Sequence, residues 1–91
     1  MTAVAARMRD KLEAAFSPVE LEIADDSHRH AGHAGARPGG ESHFTVRLVS
    51  AAFAGRSRVE RQRLVHAVLA EELAGPVHAL VLVLRVPDEP R

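Results

Sequence analysis

Residues 55–76, GRSRVERQRLVHAVLAEELAGP, hold the start, the apolar face and the end of one predicted helix. Ser57 and Glu60 match a capping box, in which the serine hydroxyl accepts from an amide three residues on and the glutamate accepts from the serine amide. Gly75-Pro76 predicts that the helix ends at about Leu73. One side of the helix is apolar, and its residues are Leu64, Val65, Val68, Leu69 and Leu73.

Two strand-like stretches flank this helix. Before it, apolar and polar residues alternate from Phe44 to Leu48, which is the period of a half-buried strand. After it, the run from Val77 to Val86 is rich in leucine and β-branched residues. A strand, a helix and a strand in this order predict a right-handed crossover that joins two parallel strands.

The N-terminal part predicts another helix followed by another strand. Thr2 is a candidate N-cap for a helix that reaches about Phe16, and Ser17-Pro18 ends it because proline disfavours helical torsion angles in the preceding residue. From Val19 to Ile23, apolar residues alternate with glutamates as in a strand, and the loop from Asp25 to about Ser42 leads to the next strand. We therefore expect these two strands to pair antiparallel. The apolar stripe of the helix consists of Val4, Met8, Leu12 and Ala15.

Together these elements predict an α+β fold with an α-β-β-α-β core, in which helices cover one face of a three-stranded mixed sheet. We expect residues 1–87 to form a single domain and residues 88–91 to be an unstructured tail. A chain of 91 residues has a modest core, with little room for a deep substrate pocket. No paired carboxylates and no Ser/His/Asp spacing suggest a catalytic set, so we expect a protein that is not an enzyme.

The charge, the cysteine content and the lengths of the apolar runs limit which kinds of binding partner we expect. The formal net charge is zero, which argues against strong non-specific attraction to nucleic acid or to an anionic membrane. The chain has no cysteine, so a disulfide framework is excluded and any soft-metal chemistry must use histidine or a partner's thiol. No apolar run approaches the roughly 20 residues needed to span a bilayer, and the N-terminus lacks the layout of a signal peptide. We expect a cytoplasmic protein with no membrane partner.

Histidines are concentrated in the loop between the first two strands. His28, His30 and His33 have the spacing H-x-H-x-x-H in a glycine-rich segment. Three imidazoles on one short loop can converge on a metal ion, whereas the alternative is a polar surface loop whose histidines bind nothing. Compact domains seldom keep a loop of this length without a function.

Three further histidines lie in or beside predicted elements. His43 begins the second strand, where we expect a hydrogen-bonded strand-end residue, and His66 lies on the exposed side of the second helix. His78 shares strand parity with Leu80 and Leu82, which predicts a partly buried position at the rim of the core face. It is either a structural histidine with satisfied hydrogen bonds or a functional group.

Four arginines cluster at the start of the second helix: Arg56, Arg58, Arg61 and Arg63. Such a basic patch can contact the phosphates of DNA, and the alternative is a solvated helix face. The chain has no phosphate-binding G-x-x-x-x-G-K-[ST] motif, and without tyrosine or tryptophan it lacks an aromatic platform for bases.

Several motifs taken together resemble the BolA family, and the resemblance extends from about Met8 to Pro87. It implies a class II KH-like fold, which agrees with the order of elements predicted above. The motifs are Asp26-Ser27-His28-Arg29-His30, Gly40-Glu41-Ser42-His43-Phe44, Val49-Ser50 with Phe53-x-Gly55, Arg61-x-Arg63, Leu69-x-Glu71-Glu72-Leu73 and Val77-His78-Ala79-Leu80.

The resemblance implies two functions. The first is a heterodimer with a monothiol glutaredoxin of the C-G-F-S type that holds a bridging [2Fe-2S] cluster in iron–sulfur assembly or iron homeostasis. Glutaredoxin and glutathione would supply thiolates, and this chain would supply imidazole from His78 and from His30, with His28 and His33 as alternates. Alone, the chain would be a monomer or a weak homodimer without a tightly bound cofactor.

The second implied function is DNA binding by a transcriptional regulator of stress and morphology genes, with Arg56, Arg58, Arg61 and Arg63 as the contact residues. A third interpretation, a free-standing metal-binding domain that uses the loop alone, stays open.

The chain departs from the family pattern in several places. The loop between His30 and Gly40 is longer than usual, and Gln62 stands where many members have histidine. The segment after the last strand is nearly absent. The G-x-x-G loop that KH domains use to clamp nucleic acid is missing, which argues against RNA binding of that type.

Overall fold

The computed structural model describes residues 3–26 and 43–88. The candidate N-cap Thr2, residues 27–42 of the histidine-rich loop and residues 89–91 lie outside them. Within the described ranges, no helix combines the length and the apolar character needed to cross a membrane. The elements in chain order are helix α1 (Ala3–Phe16), strands β1 (Glu20–Asp25) and β2 (His43–Val49), a 3-10 helix (Ala51–Phe53), helices α2 (Arg58–Val68) and α3 (Ala70–Ala74), and strand β3 (Ala79–Arg85).

The three strands form one mixed sheet in the order β1-β2-β3. β1 and β2 are antiparallel, with Asp25 opposite Phe44, and β2 and β3 are parallel, with His43 opposite Ala79. Both pairings confirm the prediction. As a consequence, the end of β1 and the starts of β2 and β3 lie at the same end of the sheet.

The core lies between one face of the sheet and the helices. Phe44, Val46 and Leu48 are buried, whereas Thr45 and Arg47 on the other face are only half-buried. The predicted alternation of β2 is therefore confirmed. The other buried apolar residues of this core are Val4, Ala5, Met8, Leu12, Phe16, Phe53, Val65, Leu69 and Val77.

The prediction for α1 was wrong in one position. Ala15 is exposed, and Phe16 is buried in its place, where its ring lies 5.1 Å from the ring of Phe53 between centroids. Phe16 continues the spacing of four residues from Met8 and Leu12, whereas Ala15 is rotated away from that line.

The bounds of β1 also differ from the prediction. Val19 is 65% exposed and precedes the strand, and Asp25 belongs to β1 although it was predicted to begin the loop. Pairing with β2 starts at Glu20 opposite Val49 and ends at Asp25 opposite Phe44.

Helix α2 begins with the predicted capping box. The Ser57 hydroxyl accepts from the Glu60 amide at 3.1 Å, and the Glu60 carboxylate accepts from the Ser57 amide at 2.7 Å. The prediction of one continuous helix to Leu73 was wrong, because the backbone leaves helical torsion angles at Leu69 (φ −100°, ψ 20°). No proline or glycine lies there; the bend occurs at a side chain that is fully buried in the core.

Two polar side chains are buried among the described residues, and each joins α1 to another element. The Ser50 hydroxyl donates to the Phe16 carbonyl at 2.6 Å. The two oxygens of Glu72 lie 2.9 and 3.0 Å from the Lys11 ammonium, and Arg7 lies 3.7 Å away. Both contacts connect residues far apart in the sequence, so they fix how α1 packs on the rest of the fold.

Arginine side chains reach the backbone of both outer strands. A guanidinium nitrogen of Arg9 in α1 lies 3.2 Å from the carbonyl oxygen of Leu21 in β1. At the opposite edge of the sheet, Arg61 in α2 donates to the carbonyl of Leu84 in β3 at 3.3 Å. One arginine is thus bonded to each outer strand.

Candidate functional site

Two histidines meet at the end of the sheet where β2 and β3 begin. His43 is the first residue of β2, and His78 immediately precedes β3. Their ring centroids are 6.3 Å apart and their planes differ by 20°. The parallel register, which sets His43 opposite Ala79, brings them together.

His78 is exposed, so the prediction of a partly buried position at the rim of the core was wrong. The reason is local. Val77 fills the buried position, with 4% exposure, and its amide bonds to the Glu72 carbonyl at 2.9 Å. The chain then bends at His78, and the strand alternation begins only at Ala79. The imidazole is therefore accessible to a partner or an ion.

Both ends of the histidine-rich loop are attached beside this pair. The Asp26 amide donates to the His43 carbonyl at 2.7 Å, and the Thr45 hydroxyl donates to the Asp26 carboxylate at 2.5 Å. Asp26 and His43, the described residues on either side of the loop, are therefore bonded to each other, and His43 lies beside His78. The predicted loop ligands His28, His30 and His33 lie outside the described residues, so their roles stay predictions.

This end of the sheet carries the imidazole nitrogens of His43 and His78, and also the carboxylate of Asp26. Neutral imidazole suits iron, zinc, copper and nickel. Among residues 3–26 and 43–88, no group of three or more His, Asp and Glu side chains is arranged to hold a metal ion. The described histidines by themselves therefore do not form a complete ligand set for a metal ion.

The proximity of His43 to His78 was missed at the level of sequence. His43 was interpreted as a strand-end residue and His78 was considered separately. The sequence nevertheless contained a signal for this proximity. Two parallel neighbouring strands begin at the same end of a sheet, and His43 starts one of them while His78 precedes the other. His66, by contrast, is exposed on α2 as predicted.

The four arginines of the predicted basic patch do not behave alike. Arg56, Arg58 and Arg63 are exposed, whereas Arg61 is half-buried. The Arg61 guanidinium donates to the Arg56 carbonyl at 3.1 Å and, as described above, to the backbone of β3. Arg61 therefore has a structural role that the sequence pattern did not reveal, and the other three face solvent.

A groove of about 390 Å³ runs between α2 and β3 next to this patch. Arg58, Arg61 and Gln62 line it on the helix side, and residues 82–85 line it on the strand side. Hydrogen bonds from Ser57 lower the pKa of Glu60, and the charges of Arg56 and Arg63 lower it further. The ionised carboxylate offsets part of the positive charge of the patch.

The histidine pair and the arginine groove lie toward opposite ends of β3. The pair precedes Ala79, whereas the groove is lined by the last part of the strand, 82–85. Substitutions in one site can therefore be made without touching the other.

The chain is similar to proteins of one family along most of its length. The sequence pattern of the BolA-like protein family matches residues 12–89. BolA-like protein 1 of Homo sapiens is 51% identical over 86 residues, which are 94% of this chain and 60% of that protein. The DNA-binding transcriptional regulator BolA of Escherichia coli is 50% identical over 76 residues, or 84% of this chain and 69% of that protein.

The fold supports the same relationship. The solved BolA domain of SufE1 from Arabidopsis thaliana superimposes with a TM-score of 0.88 at 44% identity, covering 99% of each chain. The chain spans 60% of BolA-like protein 1 and only 24% of the whole SufE-like protein 1 of Arabidopsis thaliana. The shared part is the domain described above, and agreement in both sequence and fold over that domain shows that the chain belongs to the BolA-like protein family.

Proposed function

We propose that this chain is a non-enzymatic partner of a monothiol glutaredoxin and contributes imidazole ligands to a shared [2Fe-2S] cluster. One observation carries the proposal: an exposed His78 lies beside the attached ends of a loop that holds three more histidines. A family member that uses histidine for a shared metal centre needs such an accessible imidazole next to a second donor.

His78 is the principal ligand in this proposal, and His30 is the second. His30 follows the anchored Asp26 by four residues, a covalent reach of at most about 14 Å. His28 and His33 are alternates on the same loop. Since the chain has no cysteine, glutaredoxin and glutathione supply the thiolates.

The ligand type has a chemical consequence. When histidine replaces thiolate on one iron of a [2Fe-2S] cluster, the reduction potential rises and ligation becomes dependent on protonation of the imidazole. The residues of this chain bind and orient one side of the cluster. Such a role suits transfer or sensing in iron–sulfur assembly and iron homeostasis.

The test is reconstitution of the heterodimer. The chain is mixed with a C-G-F-S glutaredoxin, glutathione, ferrous iron and sulfide under anaerobic conditions, and the visible absorption and circular dichroism are recorded. We expect a spectrum that differs from that of the glutaredoxin homodimer and that disappears with His78→Ala. His66→Ala is the matched control, since His66 is also an exposed histidine but lies on α2. An unchanged spectrum for His78→Ala would contradict the assignment.

The loop ligand is tested by cluster lifetime. We expect His30→Ala to shorten the lifetime of the shared cluster without preventing its assembly, because His28 or His33 can substitute. Replacement of all three by alanine should shorten it further. If the triple variant and the wild type have equal lifetimes, the loop supplies no ligand.

A second candidate function is supported by the arginine groove. Arg56, Arg58 and Arg63 are exposed, and Arg58 lines a groove of about 390 Å³. The similar protein of Escherichia coli is named a DNA-binding transcriptional regulator. We therefore propose binding to DNA phosphates as the alternative role of this chain. Its test is described among the predictions below.

A further inference from the structure

We propose that the face of the sheet turned away from the core binds a second copy of this chain. The two sheets would pack face to face about a two-fold axis parallel to the strands. This surface, here called the open face, carries the strand residues that alternate with the core residues, such as Thr45 and Arg47 in β2. The proposal goes beyond the partnership with glutaredoxin and does not rest on it.

The composition of β3 is the first observation. Six residues from Ala79 to Leu84 are apolar without interruption, which is typical of a parallel strand that is covered on both faces. Its leucines pack against the core, so the residues between them lie on the open face. There Val81 is 58% exposed. The strand therefore has apolar surface on a side where the fold leaves it accessible to a partner.

The charges on the open face are arranged by sign. The pairing of the strands sets Glu20 in one row with Val49 and Arg85, and it sets Glu22 in the next row with Arg47. The two glutamates thus lie on the outer strand β1, and the two arginines lie on β2 and on the other outer strand. A face with opposite charges toward its two edges is complementary to a copy of itself turned by a two-fold axis.

The two arginines of this face lack an acidic partner in the folded chain. Within residues 3–26 and 43–88, no ion pair joins Arg47 or Arg85 to a carboxylate. The Nε atom of Arg85 is also shielded from solvent without a hydrogen-bond acceptor in that part of the chain. Both side chains line a small groove on the open face. An unpaired shielded donor is unfavourable, so a carboxylate from a second copy would stabilise this end of the sheet.

The proposed axis brings opposite charges together. With the axis above β2, the strand β1 of one copy lies over β3 of the other, and the rows across the sheet stay level. Glu20 then faces Arg85 of the second copy, and symmetry repeats this pair. In the same arrangement Ala24 lies over Val81 of the second copy, which gives an apolar contact. Packed sheets are about 10 Å apart, a distance that glutamate and arginine side chains span together.

The size of the open face sets the expected strength. Three strands about 4.8 Å apart, with roughly 3.3 Å per residue along the seven residues of β2 and β3, cover roughly 300 Å² in projection. Stable interfaces take about 800 Å² of each partner. We therefore expect a weak dimer with a dissociation constant between about 1 μM and 1 mM.

Sedimentation equilibrium of the full chain up to about 1 mM tests the pairing of charges. The wild type should approach the mass of a dimer. Arg85→Glu and Glu20→Arg should each weaken dimerisation by more than about tenfold, because each sets like charges against one another. An equimolar mixture of the two variants should dimerise again, since one chain is acidic at both positions and the other is basic at both. Repair by mixing separates contacts between chains from contacts within one chain.

Controls of the same chemistry lie on the helices. Glu13→Arg changes the charge as Glu20→Arg does, but at an exposed position of α1, and it should leave dimerisation unchanged. Val81→Asp should abolish the dimer, whereas Val59→Asp should not. Val59 is the matched residue because it is 56% exposed and lies on α2. Far-ultraviolet circular dichroism verifies that each variant is folded.

Three results would overturn the proposal: a wild type that stays monomeric at about 1 mM, a folded Val81→Asp that dimerises like the wild type, or a mixture of the charge variants that stays monomeric. The first would leave the open face to a different protein, and the second would place the dimer on another surface. If either charge variant is unfolded, Val81→Asp with its control decides. None of these measurements contains glutaredoxin, so failure of the shared cluster does not affect them.

Discussion

The hydroxyl of Ser50 donates a 2.6 Å hydrogen bond to the carbonyl of Phe16, which lies 34 residues away in the sequence. The same oxygen accepts from the amide of Ala52 at 3.1 Å. Ser50 is fully buried, and both the donor and the acceptor capacity of its hydroxyl are used. This single side chain therefore joins the end of α1 to the end of β2.

We expect Ser50→Ala to lower the free energy of unfolding by about 1–3 kcal/mol, because the substitution leaves the Phe16 carbonyl without this donor in the interior. Urea denaturation followed by circular dichroism measures the change. Equal stability of wild type and Ser50→Ala would show that the bond contributes nothing.

We expect Glu72→Gln to destabilise the protein by roughly 1–3 kcal/mol, because Lys11 loses its buried charged partner. Glu71→Gln is the control. Glu71 bonds to the same ammonium at 3.1 Å, but its side chain is 88% exposed, so its replacement should cost only about 0–1 kcal/mol. In a double-mutant cycle with Lys11→Met, the coupling energy should be larger for Glu72 than for Glu71. The reverse order would contradict the importance of burial here.

Ser17 follows α1 with a φ of 45°, the left-handed region that favours glycine. We expect Ser17→Gly to raise the free energy of unfolding by about 1 kcal/mol, since glycine adopts this conformation without steric cost. The Ser17 amide bond to the Glu13 carbonyl at 3.0 Å is retained in the variant. Ser17→Ala serves as the control and should give no gain. Thermal unfolding of the three proteins would decide the matter.

The pKa of Glu60 is lowered, first by the hydrogen bonds from Ser57 and then by Arg56 and Arg63. A carboxyl with a lowered pKa in the folded state stabilises the protein above its unfolded pKa, and that stabilisation is lost as pH falls through the folded value. Glu60→Gln should therefore reduce stability at neutral pH and flatten the acid limb below the ordinary value of 4.5. In Ser57→Ala, nuclear magnetic resonance titration should find the pKa of Glu60 moved back upward. An unchanged pKa would exclude the Ser57 hydroxyl as one of its causes, because the amide of residue 57 still donates to Glu60 in this variant.

Replacing Arg56, Arg58 and Arg63 with glutamine should weaken DNA binding and reduce its salt dependence by roughly one unit of slope for each phosphate that is no longer neutralised. Arg61 is kept in this variant because it bonds to the backbone of Arg56 and Leu84. Binding is measured by fluorescence anisotropy over a series of salt concentrations. Cluster assembly with glutaredoxin should be unaffected, since the histidine pair lies toward the other end of β3. Equal salt slopes for variant and wild type would exclude these arginines as phosphate ligands.

Much of the fold could be predicted from the sequence because local signals determine it. The capping box at Ser57 and the alternation of Phe44, Val46 and Leu48 are such signals, and the helix between two strands correctly predicted that β2 and β3 are parallel. The bend at Leu69 could not be predicted, because it occurs at a buried side chain and not at a proline or glycine.

The candidate site was harder to predict for a related reason. The prediction of a core-facing His78 assumed that the strand includes this residue. The strand begins only at Ala79, and the buried residue in this segment is Val77. The proximity of His78 to His43 depends on the parallel pairing of β2 and β3, which are far apart in the sequence. The family resemblance implied that His78 is a ligand without any of this geometry, and it gave no indication that His43 lies beside it.

The arginines bonded to the outer strands affect how copies of this chain behave toward one another. An open strand edge presents backbone groups on which a second chain can extend the sheet, the first step of fibril growth. Arg9 on Leu21 and Arg61 on Leu84 occupy a backbone acceptor on each of the two edges and place a charge there. We expect each guanidinium to disfavour intermolecular extension of the sheet for as long as α1 and α2 stay packed against it.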